Sequence, residues 1–312
     1  MSYPTPGPRP AVGRAAAVAV ALLAVLLVGA GLLVAASAAG AQAAGARYVS
    51  LGDSYTAGPR YDPVNPCVSL PYAWPRQVAD RWGLGGDWAD GACSGVVLDG
   101  PERDLAGTRL DDLHRRGALG PRTELVTLQF GGNERYGGSY RTAAWSVGVC
   151  LADLIGGCDV PRDPGAVRLE AITADDLVWR LTRGGSSDMI GRIRALAPNA
   201  RIALVGYPTV LPRDMAVCVP VTGSASLGYQ PRAAYAHGVL DRIEAAQSGA
   251  AARLGLGFVS LRAATEGHDV CRPLGQRWIT RIGDLHEEFL PFHPTRAGYS
   301  VHADVVTAYR LR

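Results

Sequence analysis

The chain lacks one common residue type altogether. It contains no lysine, and all 31 basic residues among its 312 are arginine. A Walker-type phosphate loop needs a lysine after its glycines, and a Schiff-base enzyme needs a lysine amine. The composition therefore excludes both classes of site.

The chain also has little net positive charge. The formal charge is +3, and Arg9 and Arg14 near the N-terminus supply two of those units. Proteins that bind nucleic acid carry a basic face, which the remaining chain has too little net charge to form. We expect no nucleic-acid partner.

Two cysteine and histidine patterns of metal sites are missing. No C-x-x-C pair occurs, and the H-E-x-x-H zinc pattern that begins at His286 fails because position 290 is leucine. An even number of cysteines in an exported chain favours disulfides over a metal cluster. Fifteen pairings are open for six cysteines, of which the sequential one is the simplest. The six are Cys67, Cys93, Cys150, Cys158, Cys218 and Cys271.

The N-terminal segment has the features of an export signal. Arg9 and Arg14 precede an uncharged apolar run over residues 15–36, and small residues follow it. This run of 22 residues is also long enough to span a bilayer. We therefore expect residues 1–46 to be a signal peptide or an uncleaved membrane anchor. Residues 47–312 then form one domain outside the cytoplasm.

Strand-like and helix-like segments alternate along that domain. Short apolar and β-branched runs predict strands at residues 47–51, 125–130, 201–207 and 257–261. Helical patterns cover residues 187–197, 231–254 and 294–309. Such alternation predicts an α/β fold with a central parallel sheet covered on both faces.

Three motifs lie where an α/β sheet builds its sites. Ser54 follows the first predicted strand in a Gly-Asp-Ser block, and Asn133 follows the second in a Gly-Gly-Asn block. His293 stands immediately before the last predicted helix, where a base could reach a serine at a strand end. A serine at a helix start is also a common N-cap, and Gly-Gly-Asn is a common turn. No single block decides between these functions.

Together the blocks resemble those of a known family. Gly52-Asp53-Ser54, Cys93-Ser94-Gly95, Gly131-Gly132-Asn133 and His293-Pro294-Thr295 occur in the order found in SGNH hydrolases, also called GDSL esterases and lipases. The likeness is closest to secreted actinobacterial lipases, which have three sequential disulfides. The resemblance implies a three-layer, flavodoxin-like α/β/α sandwich that needs no metal or cofactor. It also implies the pairs Cys67–Cys93, Cys150–Cys158 and Cys218–Cys271.

The resemblance also implies roles for individual residues. Ser54 would be the nucleophile and His293 the general base. The backbone N–H groups of Ser54 and Gly95, with the Asn133 side chain, would form the oxyanion hole.

One departure from the family concerns how the histidine is oriented. The last block is usually Asp-x-x-His, but position 290 is leucine. Glu287 and Glu288 lie six and five residues before His293, with Pro291 between, so neither takes the usual place three residues before it. A backbone carbonyl can accept the same Nδ1–H bond, so we expect the Leu290 carbonyl to orient His293 in a Ser-His dyad.

The expected function is extracellular hydrolysis of carboxylic esters through an acyl-serine intermediate. Lipid and other small-molecule esters come first as substrates, and acetylated polysaccharide is the alternative. A second alternative is a cell-surface binding protein that has kept the fold and lost activity. We expect a monomer, with membrane association only through the N-terminal segment.

Overall fold

Seven strands occur among the described residues. The computed structural model describes residues 43–58, 65–99, 106–183, 188–214, 217–220, 227–230, 232–281 and 290–310. The strands are β1 (Tyr48–Gly52), β2 (Trp88–Asp90), β3 (Leu125–Gln129), β4 (Arg201–Val205), β5 (Val217–Pro220), β6 (Leu227–Gln230) and β7 (Gly257–Val259). Five of them form a parallel sheet in the order β2-β1-β3-β4-β7, and β5 pairs with β6 as an antiparallel ribbon.

Helices connect these strands and cover the sheet. They are α1 (Ser54–Ala57), α2 (Trp74–Arg81), α3 (Ala106–Arg115), α4 (Ala143–Ala152), α5 (Ala174–Thr182), α6 (Met189–Leu196), α7 (Ala234–Leu254), α8 (Arg262–Thr265) and α9 (Arg296–Arg310). Short 3₁₀ turns lie at Tyr136–Gly138 and Leu169–Ala171.

Alternate residues of each strand lie on opposite faces of the sheet. Tyr48, Leu125 and Ala203 belong to the core layer that α2 and α9 cover. Their neighbours Val49 and Val126 belong to the opposite layer, which α3, α6 and α7 cover. Because both faces are buried, the strands are almost continuously apolar. The predicted three-layer α/β/α sandwich with a central parallel sheet is confirmed.

The predicted elements that were found lie within a few residues of their expected places. The four expected strands correspond to β1, β3, β4 and β7, and the expected helices to α6, α7 and α9. Helix α7 ends as predicted, with Gly255 in the left-handed conformation at φ 62°. The sequence did not reveal β2, the β5–β6 ribbon or α2 to α5. Strand β2 has only three residues, all partly exposed, so it carries little periodic signal.

The strand order defines where a ligand site belongs. From β1 the chain goes to β2 on one side and then returns to β3 on the other. The connections after β1 and β3 therefore leave the sheet in opposite directions and open a crevice at the strand carboxyl ends. Ser54 follows β1 and Asn133 follows β3, so both lie at this switch point.

Three disulfides join the loops around the sheet. They are Cys67–Cys93, Cys150–Cys158 and Cys218–Cys271, which is the sequential pairing. The first ties the segment after α1 to the Cys-Ser-Gly block, and the others anchor the long connections that precede α5 and α7.

The predicted signal or anchor segment lies outside the described residues except for its last four. Of these, Ala44 accepts a hydrogen bond from Arg122 N at 2.8 Å, and Ala46 N donates to Ala118 O at 2.9 Å. Within the described part of the chain, no helix is long and apolar enough to cross a bilayer.

Candidate active site

Ser54 lies at the first position of α1, directly after β1. Asp53 caps this helix, with its Oδ1 accepting from Tyr55 N at 2.9 Å. The chain turns sharply here, and a Cβ on Gly52 would lie 2.1 Å from the Thr56 hydroxyl. Only glycine therefore allows the approach that aims Ser54 into the crevice, where it is 7 % exposed.

His293 reaches Ser54 from the far end of the chain. Its Nε2 lies 2.7 Å from Ser54 Oγ. The histidine is held by Thr280, whose backbone N–H donates to His293 O at 2.7 Å and whose Oγ1 accepts from His293 N at 3.1 Å. The structure thus brings together the serine and the histidine that the sequence singled out.

The other ring nitrogen of His293 meets a main-chain carbonyl. Nδ1 lies 3.0 Å from Pro291 O. A carbonyl can only accept, so Nδ1 carries the hydrogen and Nε2 presents its lone pair to Ser54 Oγ. This is the tautomer that a general base requires.

The Leu290 carbonyl that we expected to orient His293 also acts on it through a backbone hydrogen bond, but second to that of Pro291. Leu290 O also accepts from Thr280 Oγ1 at 2.7 Å. Phe292 adopts φ 65°. This turn brings the Pro291 carbonyl within hydrogen-bond distance of His293 Nδ1. Asp284, Glu287 and Glu288 lie outside the described residues.

Burial dominates the protonation of His293. Removal from water lowers its pKa to about 4, and the carbonyls of Pro291 and Leu290 oppose that shift only in part. The imidazole is neutral at ordinary pH and can accept a proton.

Three N–H groups are predicted to form the oxyanion hole. Ser54 N, at the first turn of α1, and Gly95 N, in a turn with φ 78°, have no backbone acceptor among the described residues. The Asn133 amide donates one hydrogen to Val96 O at 3.3 Å. That bond also ties the Asn133 loop to the Gly95 loop.

Comparisons with known proteins agree with this geometry. The model of the GDSL-like Lipase/Acylhydrolase family matches residues 50–301. The chain belongs to this family. It is a carboxylic ester hydrolase of the lipase and esterase type.

Individual relatives are similar over most of their length. Lipase 2 of Streptomyces coelicolor is 29% identical over 256 residues, which cover 80% of this chain and 81% of that protein. Phospholipase A1 from Streptomyces albidoflavus shares the fold with a TM-score of 0.55, at 24% identity, over 85% of this chain and 99% of that one. An extracellular lipase from Streptomyces rimosus gives 0.50 at 22% identity, over 84% and 98%.

A buried carboxylate connects two of the motif blocks of the hydrolase. Tyr207 donates to Asp53 Oδ2 at 2.5 Å and accepts from Gly132 N at 2.9 Å. Burial raises the pKa of Asp53 to about 6, although its bonds from Tyr207 and Tyr55 N oppose the shift. Tyr207 follows β4, and its position as a polar residue at a strand end could have marked it as a site residue. Its contact with Asp53 could not be predicted, because the two residues lie 154 positions apart in the chain.

A second buried carboxylate supports the oxyanion loops. Glu134, directly after the Gly-Gly-Asn block, is fully buried and accepts from Leu98 N at 3.0 Å. Arg180 lies 3.5 Å from its other oxygen and is itself bound to Asp176 at 2.6 Å. Burial raises the pKa of Glu134 to about 7, although the Leu98 N–H and Arg180 lower it.

An apolar pocket opens beside Ser54 and His293. It has a cavity volume of about 110 Å³, smaller than the roughly 300 Å³ at which drug-sized ligand sites usually begin. Its walls come from the β3 and β4 ends, α4, α7 and the His293 loop, and the polar groups are concentrated at the dyad end. The lining residues are Tyr55, Gly132, Ala143, Ala144, Val147, Gly148, Tyr207, Val210, Leu211, Val239, Leu240, Ile243, Pro291, Phe292 and His293.

Proposed function

We propose that this hydrolase cleaves esters of apolar acyl chains through an acyl-serine intermediate, with Ser54 as nucleophile and His293 as general base. The observation that carries the proposal is the apolar pocket that ends at the dyad. A pocket of this composition stabilises the acyl chain of a lipid ester by burying it, whereas an acetyl group on a polysaccharide would leave it unfilled.

The first half of the reaction forms the acyl-enzyme. Ser54 Oγ bonds to the ester carbonyl carbon while its proton passes to His293 Nε2, and the C=O electron pair moves onto the oxygen. Ser54 N–H, Gly95 N–H and the Asn133 amide donate to that oxyanion. When the electron pair returns, the bond to the alcohol breaks and His293 gives its proton to the leaving oxygen.

The second half returns the enzyme to its starting state. A water molecule gives a proton to His293 and bonds to the acyl carbon. Collapse of this second oxyanion breaks the bond to Ser54 Oγ, and His293 returns the proton to the serine.

The pairing with a carbonyl supplies orientation without a full negative charge. The Pro291 carbonyl fixes the tautomer of His293 and stabilises the imidazolium by its dipole alone. Because the site is buried, the electrostatic interaction of that dipole with the imidazolium is stronger than it would be in water. We therefore propose a Ser-His dyad rather than a triad.

Replacing the nucleophile tests the chemistry. Ser54→Ala should abolish hydrolysis of nitrophenyl esters, with a loss of about 10⁴-fold or more. A fluorophosphonate should label Ser54 and no other serine. Activity retained by Ser54→Ala, or labelling elsewhere, would contradict the assignment.

Filling the pocket tests the substrate class. A Cβ on Gly148 meets no atom within 4 Å, so Gly148→Leu projects into the pocket without straining α4. It should leave nitrophenyl acetate turnover within about twofold and lower kcat/KM for octanoyl and longer esters by about tenfold, because about 1.4 kcal/mol of chain burial is lost. Gly86→Leu is the matched control, since its Cβ also meets no atom and it lies outside the pocket.

Two alternatives remain measurable in the same assays. A polysaccharide O-acetylesterase would release acetate from an acetylated glycan faster than it cleaves any long-chain ester, and Gly148→Leu would not affect it. A binding protein of the same fold would cleave neither substrate. The similarity to Lipase 2 of S. coelicolor supports the lipid esters.

We also propose that the hydrolase acts outside the cytoplasm as a monomer. The apolar N-terminal segment and the three disulfides support export. Mass spectrometry of the protein from culture medium and from membranes would show whether residues 1–46 are removed or retained as an anchor.

A further inference from the structure

Helix α4 has an unusual exposed face. The helix contains no charged residue, and its only side-chain hydroxyl, on Ser146, is buried. The solvent side carries Trp145 and Val149, which are 55% and 41% exposed. A surface helix normally places polar and charged residues there.

The apolar surface continues beyond the end of the helix. Leu154 is 42% exposed and Ile155 is 92% exposed, and both follow α4 after its C-cap residue Asp153. We call Trp145, Val149, Leu154 and Ile155 the α4 patch. Contiguous exposed apolar residues of this kind mark an interaction site in soluble proteins.

The α4 patch is continuous with the acyl pocket. Ala144, Val147 and Gly148 line the pocket, so one side of α4 forms its wall and the adjacent side carries the α4 patch. An acyl chain that enters the pocket therefore passes along the edge of this surface. A lipid aggregate is the one source that supplies such chains and also covers an apolar face.

The charges around the α4 patch are paired. Arg141 lies over the Trp145 ring at 5.6 Å and is bound to Asp163 at 2.9 Å. Arg162 is bound to Asp153 at 3.3 Å. Because Arg141 and Arg162 each have an acidic partner, they add no excess positive charge for an anionic membrane. Arg232, which donates to Ile155 O at 2.8 Å, is accompanied in the same loop by the exposed Asp159. A tryptophan beside an arginine suits the boundary between lipid head groups and acyl chains.

We infer that the α4 patch docks the hydrolase onto a zwitterionic phospholipid surface and so places the mouth of the pocket against the acyl chains. This inference rests on the proposed hydrolysis of lipid esters. It concerns a surface that the chemistry at Ser54 does not use, so binding and turnover can be measured separately.

Vesicle binding tests the surface directly. The inactive Ser54→Ala protein should sediment with phosphatidylcholine vesicles, and added phosphatidylglycerol should change the partition coefficient by less than about threefold. In the same background, Trp145→Ser with Val149→Ser should weaken the partition coefficient by about tenfold. Trp179→Ser is the matched control, since Trp179 is 46% exposed on α5 with the exposed Asp175 one turn away. It should bind like Ser54→Ala.

Fluorescence quenching keeps the test independent of any folding defect in the double variant. Phosphatidylcholine brominated on its acyl chains should quench part of the tryptophan emission of Ser54→Ala. Adding Trp145→Phe, which keeps an apolar ring, should preserve sedimentation and remove most of that quenching. Adding Trp179→Phe should leave the quenching unchanged.

Several outcomes would overturn the inference. These are no binding to phosphatidylcholine, binding only with phosphatidylglycerol, or quenching that persists in Trp145→Phe. A dimer in sedimentation equilibrium that Trp145→Ser dissociates would instead assign the α4 patch to a second copy of the chain. With Ser54 intact, turnover of a soluble short ester reports the proposed function alone and should be unchanged in the Trp145 and Val149 variants.

Discussion

Ser54 Oγ and His293 Nε2 lie 2.7 Å apart although 239 residues separate them in the chain. The opposite nitrogen of the histidine is occupied by the Pro291 carbonyl at 3.0 Å. Orientation by main chain rather than by a carboxylate leads to specific expectations for pH dependence and for nearby acidic residues.

The pH profile should reflect the burial of His293. A base must be unprotonated, and its pKa is lowered to about 4 from an ordinary value of 6.5. We expect kcat/KM on a soluble ester to stay high as pH falls from 7 to 5 and to be lost as pH falls through about 4. Circular dichroism at each pH controls for unfolding.

Two buried carboxylates could also produce an acid limb, because the pKa of Glu134 is raised to about 7 and that of Asp53 to about 6. Rates measured with Glu134→Gln separate its titration from that of His293. An acid limb near pH 6.5 that persists both in this variant and in Asp53→Asn would contradict a buried, low-pKa His293.

Removing nearby carboxylates should have little effect. If the Pro291 carbonyl orients His293, then Glu287→Gln, Glu288→Gln and Asp284→Asn each keep kcat/KM within about tenfold of the unmodified enzyme. Loss of a true triad aspartate costs about 10⁴-fold. Steady-state kinetics of each variant on a nitrophenyl ester test this expectation. A loss of kcat/KM of that size in one variant would show that its carboxylate, and not the Pro291 carbonyl, orients His293.

The sequence could predict that Ser54 and His293 come together but not which carbonyl lies nearest to Nδ1 of the histidine. Ser54 and His293 stand in short motifs beside a strand and a helix, and those elements have strong local patterns. The choice between Leu290 and Pro291 depends on the backbone at Phe292, whose φ of 65° is rare for a residue with a side chain. The amino-acid sequence of that loop does not predict this turn.

Other parts escaped prediction for different physical reasons. Helix α4 is apolar on nearly every side, so no period of 3.6 residues stands out from its sequence. The bond between Tyr207 and Asp53 joins residues that meet only because β1 and β4 both lie beside β3. A contact of this kind is a property of the sheet order and not of either segment.

Tyr207 should act as a positioning residue. Tyr207→Phe keeps the ring in the pocket wall but removes the bonds to Asp53 and Gly132 N. We expect kcat to fall by about 10-fold to 100-fold with little change in KM, and stability to fall by about 1–3 kcal/mol. Steady-state kinetics and denaturant unfolding measure the two effects.

Tyr235→Phe is the control for Tyr207. It removes a buried hydroxyl that donates to Val167 O at 2.6 Å, away from the dyad. This variant should lose stability and keep kcat. Equal losses of kcat in both variants would mean that the effect of Tyr207 is structural only.

His302 should limit stability in acid. It is fully buried, and neither ring nitrogen has a hydrogen-bond partner among the described residues. Burial lowers its pKa to about 3 from an ordinary 6.5. Between these values the unfolded chain binds a proton that the folded chain does not, so stability is lost as pH falls through this window.

Replacing His302 should therefore help most at low pH. His302→Leu is expected to be more stable than the unmodified protein at pH 7, and by a further margin of about 2 kcal/mol at pH 5. Denaturant unfolding at both pH values, with disulfides intact, measures this. His114→Leu, at an exposed position of α3, should show no such pH-dependent gain.

The carbonyl beside His293 changes what kinds of mutation can harm the enzyme. An orienting aspartate can be lost through one codon, whereas every amino acid carries a main-chain carbonyl. Position 291 can therefore vary in side chain as long as the loop keeps its path, which Thr280 fixes through its bonds to Leu290 O and to His293. The genetic weak point is loop length, because inserting or deleting one residue between 290 and 293 would move the acceptor away from the ring.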